Sequence, residues 1–124
     1  MPARVVDASA LAALLFGEPE ANQVAKALRR GPLFAPTLLR YEVASVCLKK
    51  IRRHPARRAD LLAALDLLAR MDLQEVEVPP ADAVALAQRT GLTIYDAAYL
   101  WLARSVGAGL VTLDTRLESA ARDA

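Results

Sequence analysis

Arg4-Val5-Val6-Asp7-Ala8-Ser9 is a short apolar run that stops at an acid followed by a small hydroxyl, the pattern of a buried strand delivering a carboxylate. Pro2 and Arg4 bound the run on one side. On the other, the almost wholly apolar Ala8 to Phe16 is helix-prone, so Asp7 falls at a strand-to-helix junction. Such a junction is the C-terminal end of a strand, and in open α/β sheets ligands bind outside that edge. An acid or a serine here is equally suited to capping the following helix, and the stretch alone leaves both roles open.

Outward from this junction, the first helix is expected to end near Gly17 and a second to run from Glu18-Pro19-Glu20 to about Arg30, before Gly31-Pro32. Leu33-Phe34-Ala35 reads as a brief strand closed by Pro36. Thr37 is a suitable N-cap for a helix whose apolar positions, Leu38, Leu39, Tyr41, Val43, Val46, Cys47 and Leu48, cover more than one face and predict burial on two sides. After His54-Pro55, Ala56 to Arg70 carries Leu61, Leu62, Leu65, Leu68 and Ala69 in an apolar stripe, and Leu73 to Val78 alternates as a half-buried or edge strand. Pro79-Pro80 introduces a helix over 81–89 stopped by Gly91; Thr93 caps another, ended by Gly107 and Gly109. Leu110 to Leu113 reads as a second central strand, and it too delivers an acid, Asp114, into a last helix over 115–122. Strands joined by helices predict an α/β fold, one domain over 1–124 with a parallel sheet of about four to five strands and helices on both faces.

The 124 residues are 55% hydrophobic and 24% charged, enough for a core of Leu, Ala and Val, since aromatics are only 5%. So high an apolar fraction on a small surface predicts a face buried in an oligomer or against a partner. One cysteine, Cys47, excludes an internal disulfide and a cysteine-based zinc site, and fits a reducing cytoplasm. No apolar run approaches the roughly 18 residues of a membrane span, and no cleavable leader is evident, so a soluble cytoplasmic protein with no membrane partner is expected. The net charge of +2 is unevenly spread. Lys49, Lys50, Arg52, Arg53, Arg57 and Arg58 place six of the sixteen cations within ten residues that hold no acid, so the rest of the chain is acidic. That run suits a phosphate-binding strip, and equally a solvated helix end whose cations favour the C-terminal dipole.

Two strands that each end in an acid put Asp7 and Asp114 on one sheet edge, and two helical acids, Glu42 and Asp96, fall in the apolar segments expected to pack beside it. Four converging carboxylates repel, and a divalent ion offsets that cost: hard oxygen ligands suit Mg²⁺ or Mn²⁺. Taken singly, Asp96 also fits the third position of a helix capped by Thr93, and Glu42 shares a helical face with Ser45 and Lys49 that would be wet.

Together, Val5-Val6-Asp7-Ala8-Ser9, Leu14 to Ala21, Pro36-Thr37 through Glu42-Val43, Thr93-Ile94-Tyr95-Asp96-Ala97-Ala98-Tyr99 and Leu110 to Asp114 resemble the PIN domain, and more closely the toxin subunits of VapBC-type toxin–antitoxin pairs. The resemblance runs almost end to end and rests on four acids in the right order. It implies a Mg²⁺- or Mn²⁺-dependent endoribonuclease, held silent by a VapB-type antitoxin whose tail enters the active site, and homodimerisation. Family members often finish with one more short strand, whereas this sequence ends at Arg122-Asp123-Ala124, so a shorter sheet edge is expected. On this footing Asp7 and Asp96 are the primary metal ligands, Asp114 and Glu42 outer ligands or water-positioning groups, and Ser9 and Thr112 their hydroxyl supports. The basic run would contact RNA backbone. With a single histidine, His54, a paired histidine acid and base is missing, which favours hydrolysis by an activated water and 5′-phosphate ends.

Three other readings share the acids. A receiver-like signalling module also sets acids at strand ends, but it resembles a pattern of paired acids on the first strand and a late lysine; here Val6 precedes Asp7 and no lysine follows Lys50. A phosphatase of the haloacid dehalogenase type would want an acid where Ser9 stands. A catalytically silent PIN-like binding module is the third alternative, disfavoured by the intact acids.

Overall fold

Val5 and Val6 are consecutive in β1 (Arg4–Val6), so their side chains point to opposite faces of the sheet, and both are fully buried. Both faces of the sheet are therefore covered, as a parallel sheet requires. The computed structural model describes residues 2–29 and 31–123. Among them β1 lies between β2 (Leu33–Pro36) and β4 (Gly109–Val111), with β3 (Leu73–Val76) beyond β2; the order is β3-β2-β1-β4 and every pair is parallel. Val5 is in register with Phe34 on one side and Leu110 on the other.

The helices are α1 (Ala8–Leu15), α2 (Ala21–Ala27), α3 (Leu39–Arg53), α4 (Arg58–Asp66), α5 (Pro80–Thr90), α6 (Ile94–Val106) and α7 (Thr115–Arg122). Helix α6 is buried around most of its circumference, through Ala97, Ala98, Tyr99, Leu100, Leu102 and Ala103, because it packs across β1, β2 and β4 and is flanked by α5 and α7. A second group forms where α1 packs on α2 and α3, and α3 on α4. Gly107 ends α6 with φ +65°, a left-handed conformation that a Cβ would strain.

Several expectations are corrected. Helix α2 is shorter than Glu18 to Arg30: it begins at Ala21 and its C-cap is Leu28, while Arg30 lies outside the described residues. Thr37 does not cap α3. It is exposed in a turn, and Leu38 occupies the cap position with no side-chain bond, because the backbone is already helical there. Nor is α3 buried on two sides: Leu39, Val43 and Cys47 form one buried stripe at four-residue spacing, while Tyr41 is 83% exposed and Leu48 46%. The segment over 56–70 is interrupted, with a 3₁₀ turn at Pro55–Arg57, α4, and a second 3₁₀ turn at Leu67–Arg70. Of its expected stripe only Leu61 and Leu68 are buried. Finally, β4 is an edge strand ending at Val111, only partly buried because one side carries no neighbour.

The stripe correction is testable. Leu61 is 2% exposed and Leu62 36%, so Leu61→Ala should lose about 2–5 kcal/mol of unfolding free energy in urea, and Leu62→Ala under about 1 kcal/mol. Equal losses would restore the uniform stripe.

Candidate active site

Asp7 follows the last residue of β1, and its backbone N–H donates to Val111 O at 3.1 Å, continuing the β1–β4 ladder by one bond. Asp7 is only 3% exposed, and among the described residues it is the only buried acidic or basic residue. An ionised carboxylate survives there only with donors around it. Three are supplied: Ala10 N–H at 3.0 Å and the Ser9 hydroxyl at 2.7 Å reach Oδ1, and the Thr112 hydroxyl reaches Oδ2 at 2.5 Å. The two hydroxyl oxygens then accept from Leu113 N–H at 3.0 Å and Asp114 N–H at 2.9 Å. One carboxylate thereby caps α1 and fastens it to the chain leaving β4.

Asp114 repeats the device at the head of α7, accepting from the Arg116 and Leu117 amides on Oδ1 alone. Asp96 stands in the first turn of α6, which Thr93 caps by accepting from Asp96 N–H at 3.1 Å. Glu42, in the first turn of α3, accepts on Oε1 from the buried Tyr99 hydroxyl at 2.6 Å, which ties α3 to α6. These four acids line a single cleft of about 300 Å³ with Ala8, Ser9, Ser45, Val46, Lys49 and Tyr99.

The acids feel one another. Burial raises the Asp7 carboxyl above its ordinary 3.8, Thr112, Ala10 and Ser9 pull it back down, and Asp114 pushes it up again. Burial also raises Glu42, against the Tyr99 bond and with Asp96 and Asp7 adding to the rise; Asp96 is raised by burial, then by Asp114 and Asp7. Burial and the bond to Glu42 push the Tyr99 phenol far above its usual range, so it remains a donor.

This donor set fits a hard divalent cation. Asp7 Oδ2 receives one hydrogen bond, while Glu42 Oε2 and Asp114 Oδ2 receive none from the described residues, so each keeps lone pairs for an ion. As the side chains stand, no three of the His, Cys, Asp and Glu among the described residues are grouped tightly enough to hold one, so the acids ring the cleft instead of meeting at a point.

All four predicted acids and Ser9 line the cleft, and Thr112 touches Asp7 from beside it. The basic run is divided. Lys49 lines the cleft, Lys50 pairs with Glu18 and stands 6.0 Å from the centre of the Phe16 ring, and Arg52, Arg53, Arg57 and Arg58 are exposed at and beyond the end of α3. The role of Tyr99 had no place in the sequence reading. Tyr99 is three residues after Asp96, a spacing that shares a helical face, and that periodicity was the available signal, the same one by which Lys49 was read onto the Glu42 face.

The PIN domain family model matches residues 4–123 of the chain. Ribonuclease VapC3 of Pyrobaculum aerophilum is 37% identical over 118 residues, spanning 91% of this chain and 90% of that protein. Ribonuclease VapC9 of Mycobacterium tuberculosis is 34% identical over 113 residues, spanning 91% and 87%. Among solved structures, PAE2754 from Pyrobaculum aerophilum superposes with a TM-score of 0.80 at 31% identity, covering 99% of this chain and 87% of that one. VapC20 of Mycobacterium tuberculosis, described as a sarcin-ricin loop cleaving toxin, shares the fold with a TM-score of 0.68 at 16% identity, over 94% of each chain.

Asp7 gives a pH test on metal-free protein. Its carboxyl is raised in the folded state, so the protonated acid favours folding: that stability is fully present below about 3.8 and is lost as pH rises through the raised value. Asp7→Asn keeps the cap and removes the buried charge. Melts in EDTA should show the variant equally or more stable by on the order of 1 kcal/mol at pH 7, with the advantage shrinking or reversing by pH 4. A variant less stable at pH 7 than at pH 4, relative to the parent, would mean that the donors outweigh burial.

Proposed function

The chain belongs to the PIN-domain family, and from that membership we propose that it is an endoribonuclease of the VapC type, the toxin of a toxin–antitoxin pair, working with Mg²⁺ or Mn²⁺. What carries the reading is the set of four acids around one cleft at the C-terminal edge of a parallel sheet, in a chain whose curated relatives are named ribonucleases. The reading also brings an RNA substrate, a VapB-type antitoxin as partner, a homodimer and action in the cytoplasm. No helix among the described residues is long and apolar enough to cross a membrane. The receiver-like alternative gives way to the family match, and a catalytically silent module is separated from this reading by the cleavage test below.

Asp7 and Asp96 are proposed as the principal ligands, with Asp114 and Glu42 holding the ion from farther out or orienting water. A bound Mg²⁺ or Mn²⁺ supplies charge against the phosphate and a water of lowered pKa. Ser9 and Thr112 spend their hydroxyl protons on Asp7, which fixes its orientation and leaves Oδ2 only partly used. Tyr99 fixes Glu42 in the same way through Oε1 and leaves Oε2 without a hydrogen bond from the described residues. Glu42 and Asp114, each with one carboxylate oxygen that receives no hydrogen bond from the described residues, are then the acids that would orient an attacking water and take its proton. The exposed arginines at and beyond the end of α3 track the backbone of the RNA.

Purified protein should cut single-stranded RNA with Mg²⁺ or Mn²⁺, leave 5′-phosphate ends that a phosphate-dependent exonuclease degrades, and stop in EDTA. Full cleavage in EDTA sinks the metal reading, and no cleavage under any of these conditions favours the silent module. Replacing Arg52, Arg53, Arg57 and Arg58 together by Gln should weaken RNA binding and flatten its salt dependence. Unchanged affinity and slope would leave the run a solvated helix end.

A further inference from the structure

Glu42, Ser45, Val46 and Lys49 lie on one face of α3 at the spacings i, i+3, i+4 and i+7, and all four line the acidic cleft. Lys49 is the only cation among the ten lining residues. It takes part in none of the ion pairs among the described residues, whereas its neighbour Lys50 is held by Glu18 and Arg40, at the start of the same helix, by Glu75 at 2.9 Å. A lysine serving as counter-ion to the acids would be engaged by one of them; this one is exposed at the cleft rim with its donors uncommitted.

The charge balance gives that position a use. Four carboxylates with one divalent ion still present excess negative charge to an approaching phosphodiester, and like-charge juxtaposition within a cleft is unfavourable. Two helical turns separate Lys49 from Glu42, about 10 Å along the axis at 1.5 Å per residue. That separation exceeds the span of one phosphate group, so the ammonium meets the strand beside the phosphate presented to the acids. We propose that Lys49 binds a backbone phosphate of RNA flanking the one to be cut, and so sets the path of the strand through the cleft. The inference rests on the ribonuclease reading of this cleft, and it separates Lys49 from the exposed arginines farther along the chain.

The test compares the parent with Lys49→Gln and Lys49→Arg, using a fluorescently labelled single-stranded oligoribonucleotide and anisotropy in Ca²⁺ across a salt series, with the RNA checked for integrity. Loss of one phosphate contact should lower the salt slope by about 0.7, which over the decade below 1 M salt amounts to roughly fivefold weaker binding at 0.1 M. The arginine variant should keep both slope and affinity. In a separate readout without RNA, the Mn²⁺-induced rise in melting temperature should be undiminished in Lys49→Gln, because removing a like charge does not weaken a cation site. Parent-like affinity and slope in Lys49→Gln overturn the inference; so does a lost Mn²⁺ response, which would make Lys49 a support of the acids. A parent that binds no RNA while responding to Mn²⁺ would instead overturn the ribonuclease reading, and this inference with it.

Discussion

The structure depends on holding one carboxylate where water scarcely reaches. Burying an ionised acid without partners costs several kcal/mol or more, and Asp7 is buried in the seam between the first strand and the last. The donors that offset this cost come from both sides of the seam: Ala10 and Ser9 from the start of α1, Thr112 from the end of β4. Because the same hydroxyls accept from Leu113 and Asp114, satisfying Asp7 also fixes the backbone that carries the second strand-end acid. Residues more than a hundred positions apart are thus placed by a few hydrogen bonds. The β1–β4 register, Val6 opposite Val111, brings the two acids to the same edge before any side chain is considered.

Capping and site chemistry are not competing roles here, since a carboxylate has two oxygens. Asp114 satisfies two amides of α7 with Oδ1 and keeps Oδ2; Asp7 uses Oδ1 for its cap and leaves Oδ2 with a single donor. Each helix N-terminus also places partial positive charge beside its acid, which eases the ionised form. The upward shifts of Asp7, Glu42 and Asp96 show that this help is incomplete, with burial the leading cause in each and mutual repulsion adding to it. A fold that carries such a cluster is less stable than it would be with neutral residues, the usual relation between a site and its scaffold.

Much of this was legible in the sequence, for identifiable reasons. Asp7 and Asp114, each stopping an apolar run, marked the starts of α1 and α7, although β4 itself ends at Val111, and Thr93, Gly91 and Gly107 marked helix boundaries, because each is governed by local backbone chemistry. What periodicity cannot supply is the neighbour. Tyr41 and Leu48 look like core on α3, and Leu62 on α4, yet each is exposed because the packing partners lie on another side of its helix. Leu110 to Leu113 has the composition of a central strand but takes the sheet edge, a matter of strand order that no local pattern encodes. Thr37 has the right chemistry for a cap but stands one residue too early, before a cap position held by Leu38.

The basic run shows the same limit acting on charge. Six cations in ten residues look like one strip, but a helix turns by about 100° per residue, and α3 ends within the run. Lys49 lines the cleft at its rim, Lys50 is held toward Glu18 and the Phe16 ring, Arg52 and Arg53 are exposed in the last turn of α3, and Arg57 and Arg58 lie in the 3₁₀ turn at Pro55–Arg57 and at the start of α4. Sequence density therefore overstates the local positive field, and the helix distributes its cations among three surroundings with different consequences. An ammonium at the rim of an acidic cleft acts at short range on whatever enters it. One clasped by Glu18 steadies the junction of α1 with α3, and cations on an open surface act mainly through long-range attraction that salt screens within about 10 Å. Electrostatic function in this fold is decided by which helical face a charge occupies, not by how many charges adjoin it in sequence.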